Sequence, residues 1–186
     1  MEKENLLSEP IICDVMFNFP KKEHELIKKE KKNIQLNYGE QPRSSSIPHV
    51  TLCSFLVLPE RKEKVINSLK EKLRNLKAIQ VSLNGFDVFS NNVIYTKLEP
   101  ESSFIPFQDM LKNFRFENYY KEKNFKISQK PHATLAKIDN NDHFTTLSKE
   151  YKSKAAQSTF VLDSLVIRTQ YIDGNCKKYE NIKLSK

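Results

Sequence analysis

The same short phrase occurs twice in the chain. Pro48-His49-Val50-Thr51-Leu52 in the first half is matched by Pro131-His132-Ala133-Thr134-Leu135 in the second. Histidine titrates near neutral pH, so one imidazole can act as a base while its twin acts as an acid. A threonine hydroxyl close by can donate a hydrogen bond to an oxygen that carries negative charge. Two such units predict chemistry at a phosphoester, where the incoming oxygen needs a base and the leaving oxygen needs an acid.

Both phrases have strand composition. Successive side chains of a strand point to opposite faces, so His49 and Thr51 share one face, and His132 and Thr134 share one face of the second strand. The apolar residues between and after them take the other face. Each strand is therefore expected to offer an imidazole and a hydroxyl to a cleft and apolar groups to the core.

The repetition makes the signal specific, because a single H-x-T-Leu would usually contain a structural histidine. The chain has only four histidines, and two of them would fit this pattern by chance in roughly one such sequence in a hundred. The other two, His24 and His143, lie in polar segments where surface side chains are expected.

A metal site is not indicated by the sequence. Cys13, Cys53 and Cys176 are widely spaced, odd in number and free of any C-x-x-C pairing, which argues against a disulfide framework and against zinc. With only three glycines in the chain, a glycine-rich phosphate loop is also missing. We predict catalysis without a metal or any other cofactor.

The charge of the chain favours polyanionic partners. The 186 residues carry a formal net charge of +8, which promotes encounter with nucleic acid. Acidic residues are interspersed with the basic ones, however, so a lysine-rich solvated surface explains the same charge, and Lys21–Lys32 is interpreted as such a face.

No apolar run approaches membrane-spanning length and Met1–Pro10 does not have the pattern of a signal peptide. We expect a cytoplasmic protein with no membrane contact.

Hydrophobic periodicity gives an order of elements that repeats. The predicted strands are Ile11–Phe19, Val50–Leu58, Ile79–Leu83, Val93–Leu98, His132–Ile138, Phe160–Ile167 and Lys177–Leu184, and the predicted helices are Lys21–Lys32, Val65–Leu76, Phe104–Phe114 and Phe144–Tyr151. The apolar stripe of the third helix, which includes Phe104, Phe107, Leu111 and Phe114, is more typical of a core face than of a ligand site.

This order predicts an α+β fold with two pseudo-symmetric lobes. Each lobe is expected to be an antiparallel-rich sheet with helices on its outer face, and the two sheets enclose a central cleft. We expect one bilobal domain over residues 1–186, with lobes of approximately 1–89 and 90–186 that can exchange strands. The two motif strands hold equivalent places in the halves, so their histidines should face each other.

Two H-x-T motifs in the two halves of a chain of this size resemble the two-histidine (2H) phosphoesterase superfamily, and particularly its LigT-like branch of cyclic phosphodiesterases and 2′-5′ RNA ligases. The resemblance covers nearly the whole chain, but only the two tetrads are specific. It implies that His49 and His132 are the catalytic acid and base, and that Thr51 and Thr134 grip the phosphate. It also implies a 2′-phosphate product when the substrate is a 2′,3′-cyclic phosphate.

Three further residues are candidates for substrate binding. Arg168 and Tyr171, near the end of the chain, could contact phosphate or stack on a base, and Lys130 flanks the second motif and could raise the local positive potential. For Arg168 and Tyr171 a solvated surface role is at least as good an interpretation, and for Lys130 it is the better one.

The sequence thus predicts a monomeric, metal-independent phosphoesterase acting on 2′,3′-cyclic phosphate or 2′-5′ phosphodiester bonds of RNA ends or small nucleotides. Two alternatives stay open. The same apparatus could run in reverse as a 2′-5′ RNA ligase, which would require two RNA ends. A noncatalytic module that binds RNA ends could also retain the cleft, although binding alone would need only cations and hydroxyls.

Overall fold

The computed structural model describes residues 9–117, 124–175 and 177–185. The strands are Ile11–Asn18 (β1), His49–Val57 (β2), Ile79–Phe89 (β3), Val93–Glu99 (β4), Phe125–Ile127 (β5), His132–Lys137 (β6), Gln157–Leu162 (β7), Ser164–Tyr171 (β8) and Lys178–Lys183 (β9). The α-helices within these residues are Lys21–Tyr38 (α1), Lys62–Arg74 (α2), Ile105–Glu117 (α3) and Asn141–Ser153 (α4). No described helix is both long and apolar enough to cross a membrane.

The strands form two antiparallel sheets. One has five strands in the order β5-β2-β1-β8-β9, and the other has four in the order β6-β4-β3-β7. The predicted α+β class with two antiparallel sheets is therefore confirmed. Both sheets contain strands from before and after residue 90, so strands are exchanged between the halves of the chain, while the division into lobes near residues 89 and 90 stays a prediction.

Helices cover one face of each sheet and form the core there. α2 and α3 contact strands of the five-stranded sheet, whereas α1 and α4 contact strands of the four-stranded sheet. Phe17 of β1 packs edge-on against Phe104 and Phe107, with ring centroids 6.0 and 5.1 Å apart. The aromatic stripe predicted for the third helix is buried in this core, where each large side chain contributes about 1.5–3 kcal/mol by leaving water.

Several elements differ from the sequence-based expectation, among them β3, which continues beyond the predicted Leu83 to Phe89. α1 continues beyond Lys32 to Tyr38 because its buried stripe extends to Ile34, and the chain leaves the helix at Gly39, which has a φ of 76°. The predicted strand Phe160–Ile167 is two strands, β7 and β8, which belong to different sheets. Asp163 and Ser164 interrupt the apolar run at this break, but two polar residues can also lie within one strand, so the pattern alone does not reveal the change of sheet. β5 has only three residues, too few to give a recognisable period.

The two motif strands lie side by side although they belong to different sheets. β2 contacts β6 directly, and the loop 39–48 joins them, because the backbone N–H of Lys137 in β6 donates to the carbonyl of Pro42 at 2.9 Å. On the other side, Ser128, which follows β5, donates its N–H to the carbonyl of Leu52 at 2.8 Å. These hydrogen bonds tie the loop before β2 to the end of β6, and the segment before β6 to β2.

Candidate active site

Both H-x-T units face a single cleft with a volume of about 490 Å³. His49, Thr51, His132 and Thr134, the four residues predicted from the motifs, all line it. Their side chains are half-buried, while the apolar residue between each pair is fully buried. This alternation of half-buried and buried side chains is the one that the sequence predicted. It brings two imidazoles and two hydroxyls into the same cleft.

Each imidazole is held by the same hydrogen bond. Nδ1 of His49 lies 2.7 Å from the carbonyl oxygen of Ile47, and Nδ1 of His132 lies 2.8 Å from that of Lys130. A carbonyl oxygen can only accept, so Nδ1 carries the proton in both rings and Nε2 is left to exchange a proton with a ligand. The intervening proline of each phrase restricts the residue before it to extended backbone, which helps to orient the accepting carbonyl.

Each motif is also followed by a β-bulge at its leucine. In β2, Thr51 pairs with Met16 while Cys53 pairs with Val15, which leaves Leu52 as the extra residue. Because of the bulge, Leu52 and Cys53 are both buried and the following residue, Ser54, returns to the cleft side. A bulge of this kind bends the strand and increases its twist.

The second half repeats the bulge at the equivalent place. Thr134 pairs with Tyr95 while Ala136 pairs with Ile94, so Leu135 is the extra residue and both Leu135 and Ala136 are buried. The duplicated phrase therefore specifies more than two side chains, since its leucine marks a break in the ladder in both sheets. Sequence alone did not reveal this, because a bulge is defined by the partner strand.

The pKa values of both histidines lie below the usual 6.5. Burial is the largest cause in each case. For His49 the charges of Arg168 and Lys31 act in the same direction, whereas the hydrogen bond to Ile47 and the charge of Asp14 oppose it. For His132 the hydrogen bond to the Lys130 carbonyl opposes burial, and nearby Arg43 and Lys130 lower the pKa further. Both imidazoles are thus less readily protonated than a solvent-exposed histidine.

The two histidines have different neighbours. His132 stands edge-on to two rings that stack on each other, Phe89 at 4.8 Å and Tyr95 at 5.3 Å between centroids. These contacts fix the plane of the His132 ring from the side. His49 instead lies near Arg168 and Asp14, which form an ion pair and whose charges act on its pKa.

Three cationic side chains lie in the rest of the cleft wall. Arg168, a predicted candidate, lines the cleft and donates from Nε and Nη2 to Oδ2 of Asp14 at 3.0 and 2.7 Å. Arg43 and Lys126 line it as well, and Asp14 is the only carboxylate among its described lining residues. The wall therefore has an excess of positive charge that suits an anion. Arg43 and Lys126 were missed in the sequence because no motif distinguishes them in a lysine-rich chain.

Two predicted candidates lie elsewhere. Tyr171 is exposed, and strand alternation puts it on the opposite face of β8 from Arg168. Lys130 extends its ammonium group toward the Tyr95 ring, 5.3 Å from the centroid, and toward Asp87 at 3.9 Å. Neither side chain lines the cleft. Lys130 contributes its carbonyl to His132 instead, and substrate binding by either side chain stays a prediction.

Lys31 corrects the interpretation of Lys21–Lys32 as a solvated face. Its side chain is 3% exposed, and Nζ donates to the carbonyl of Arg43 at 2.7 Å and to Oγ of Ser46 at 2.9 Å. Burial lowers the pKa of Lys31 to about 8. The spacing from Ile27 and to Ile34 already placed Lys31 on the apolar stripe of the helix, which is the signal that could have found it.

A second side chain holds the segment before His132. Gln108 of α3 donates from Nε2 to the carbonyl oxygens of Ser128 at 2.9 Å and Gln129 at 3.3 Å. Each motif histidine is thus preceded by a segment that a helix side chain fixes, Lys31 in one half and Gln108 in the other. The sequence contains no local signal for Gln108, since its partners lie about twenty residues away.

The remaining histidines are outside the cleft. His24 is beside Glu25, with Nδ1 and Oε1 3.4 Å apart, and exposed His143 packs against the Tyr38 ring with centroids 5.1 Å apart. Across residues 9–117, 124–175 and 177–185, no three His, Cys, Asp or Glu side chains are grouped as metal ligands.

Comparison with known proteins identifies relatives of this architecture. A model of the 2′-5′ RNA ligase superfamily matches residues 23–172. TT0787 of Thermus thermophilus superposes with a TM-score of 0.65 at 17% sequence identity, covering 93% of this chain and 97% of its own. E. coli LigT in complex with 3′-AMP gives 0.62 at 13% identity, covering 96% and 100%. Usb1 of Kluyveromyces marxianus gives 0.54 at 12% identity, covering 93% and 98%. At these identities the structures establish a shared fold, and no curated protein sequence matches the chain.

The histidine environment predicts a pH dependence of stability. Since burial lowers both pKa values, the unfolded chain binds protons more readily than the folded one just below pH 6.5, and the free energy of unfolding should fall as the pH is lowered from there. Urea unfolding between pH 5 and 8 measures this fall. Replacing both His49 and His132 with Gln should flatten the slope, whereas His143→Gln is a surface control. An unchanged slope in the double variant would contradict the assigned environments.

Proposed function

This chain belongs to the 2′-5′ RNA ligase superfamily, and on that premise we propose that it is a metal-independent phosphoesterase. Its substrates are RNA ends or nucleotides that carry 2′,3′-cyclic phosphate or 2′-5′ phosphodiester bonds. The superfamily comprises phosphoesterase-like and ligase-like enzymes, and for this chain we propose hydrolysis. The observation that supports it best is the pair of imidazoles that line one cleft, each with Nδ1 bound to a backbone carbonyl and Nε2 available.

On a 2′,3′-cyclic phosphate the reaction adds one water molecule. The neutral imidazole of one histidine removes a proton from the attacking water, whose oxygen forms a bond to phosphorus. The P–O3′ bond breaks, and the other histidine, protonated at Nε2, gives its proton to O3′. The product is a 2′-phosphate. The two rings then exchange protons with solvent to restore the starting state, so no charge accumulates on the protein.

The residues around the histidines supply phosphate binding. The hydroxyls of Thr51 and Thr134 donate to the nonbridging oxygens, and preorganised donors of this kind act most strongly where charge develops. Arg43, Lys126 and Arg168 add positive charge along the cleft wall. An acid–base pair needs the histidines themselves, whereas cations and hydroxyls alone would be enough for a binding module.

Solved structures of one relative contain nucleotides. Structures of E. coli LigT contain 3′-AMP, ATP or NADP+, so that protein accepts a nucleotide with its phosphate. For this chain we propose small nucleotides and RNA ends as substrates, a single bilobal domain as the working unit, and a monomer. We also propose a cytoplasmic location, in keeping with Cys13 and Cys53, which are free thiols buried in the core.

The direct test of hydrolysis uses nucleoside 2′,3′-cyclic monophosphates and a short RNA with a 2′,3′-cyclic end, both in EDTA. We expect turnover to a 2′-phosphate, identified by ³¹P NMR, because the acid and base are supplied by protein. The same RNA with 3′-hydroxyl and 2′-hydroxyl ends controls for contaminating nuclease. Turnover that disappears in EDTA and returns with a divalent ion would contradict the mechanism, and joining of two RNA ends without hydrolysis would favour the ligase.

The hydroxyl donors give a second prediction. Thr51→Val and Thr134→Val preserve side-chain shape but remove the donor, so kcat should fall by roughly a hundredfold in each, the typical loss when one such donor is removed. Serine at the same positions should restore much of the rate. Thr145→Val, on the exposed side of α4, is the matched control. An unchanged kcat in both valine variants would mean that these hydroxyls do not contact the reacting phosphate.

A further inference from the structure

A second cavity opens beside His49, on the same face of the five-stranded sheet as the phosphate cleft. Its volume is about 360 Å³, within the range of roughly 300–1,000 Å³ for small-molecule sites. It shares Ser46, His49 and Arg168 with the cleft. A ligand whose phosphate lies between the histidines can therefore extend into this cavity without leaving the protein surface.

Strand register explains how the cavity is built. Met16 of β1 pairs with Val166 of β8, which pairs with Asn181 of β9, and this row forms the floor. Arg168 pairs with Tyr179 in the next row, so the tyrosine ring stands on the same face. Alternation puts all five side chains on the face of the sheet opposite its helices.

The lining has two apolar surfaces and a polar edge. Met16 and Val166 are buried beneath the cavity, whereas the side chains of Ile47 and Tyr179 are 62% and 51% exposed. Large apolar side chains with that exposure beside a buried apolar floor lack a covering partner in the described part of the chain. Asn18 and Asn181 also line the cavity, and an amide group both donates and accepts hydrogen bonds.

We propose that this cavity is a nucleobase subsite, defined by Met16, Ile47, Val166, Tyr179 and the amides of Asn18 and Asn181. It receives the base of the nucleotide whose phosphate lies between His49 and His132. A nucleobase has apolar faces that stack on an aromatic ring and an edge of donors and acceptors, which is the complement of this lining. The assignment rests on the proposed function, because it assumes that the phosphate lies between the two histidines.

The subsite makes the enzyme selective for nucleotides over other cyclic phosphates. Base stacking and edge contacts act at a distance from phosphorus, so they should lower Kd and KM for base-bearing ligands. The position beside His49 also gives the substrate one orientation, with the base on the His49 side of the cleft and the far side left to Arg43 and Lys126.

The test compares binding of adenosine 2′-monophosphate and of ribose 2-phosphate, which has no base, by calorimetry, so that it does not depend on turnover. The wild type should bind the nucleotide at least fivefold more tightly. Tyr179→Ala and Ile47→Ala should each remove most of this difference in affinity. Stacking of a base on an aromatic ring typically changes binding affinity by roughly fivefold or more. Tyr179→Phe should keep it.

Leu36→Ala is the matched control for Ile47→Ala, since Leu36 is 72% exposed on α1 and lines neither cavity. Circular dichroism of each variant separates lost binding from lost folding. Equal binding of the two ligands by the wild type, or a base preference that survives both alanine variants, would overturn the subsite while leaving hydrolysis untouched. A base preference that the variants abolish, in a protein without turnover on cyclic phosphates, would support the subsite and refute the proposed function.

Discussion

The site depends on one hydrogen bond that is made twice, from Nδ1 of a histidine to the carbonyl two residues before it. This bond fixes the tautomer and orientation of each ring, so that both Nε2 atoms are left for proton exchange. The proline between donor and acceptor restrains the backbone, and the bulge at the following leucine turns the strand back into the core. The repeated phrase is therefore a structural unit that orients an imidazole, rather than a pair of isolated polar side chains.

The charges around the cleft depend on the residues that hold this unit in place. Lys31 loses solvation on burial, as its lowered pKa of about 8 indicates, and its hydrogen bonds to the loop before His49 offset part of that cost. The same loop carries Arg43 to the cleft, where positive charge disfavours protonated histidine until an anion arrives. A bound phosphate would reverse this effect, since negative charge favours the imidazolium. In the proposed mechanism, substrate binding and the generation of the catalytic acid are therefore coupled.

Local patterns predicted the four motif residues and most elements because their signals lie within a few residues of each other. His49 and Thr51 follow strand alternation, and the aromatic stripe of α3 follows helical spacing. Features that depend on distant partners could not be predicted: the bulges at Leu52 and Leu135 are defined by neighbouring strands, and Lys126 reaches the cleft on a three-residue strand. The change of sheet between β7 and β8 falls at Asp163 and Ser164, and nothing local tells whether two polar residues interrupt one strand or separate two. Lys31 is the exception, since its place on the stripe of α1 was visible in the sequence.

We propose that His49 and His132 act as one acid–base unit, and a double-variant cycle distinguishes this from two independent roles. The measurement is kcat/KM on a nucleoside 2′,3′-cyclic monophosphate in EDTA for His49→Gln, His132→Gln and the double variant, with His143→Gln as control. Each single variant should lose about 10²–10⁴-fold, and the double variant should be little worse, because residues that act together lose their effect together. Near wild-type activity in either single variant, or losses that multiply in the double variant, would show that the two histidines do not act as one unit.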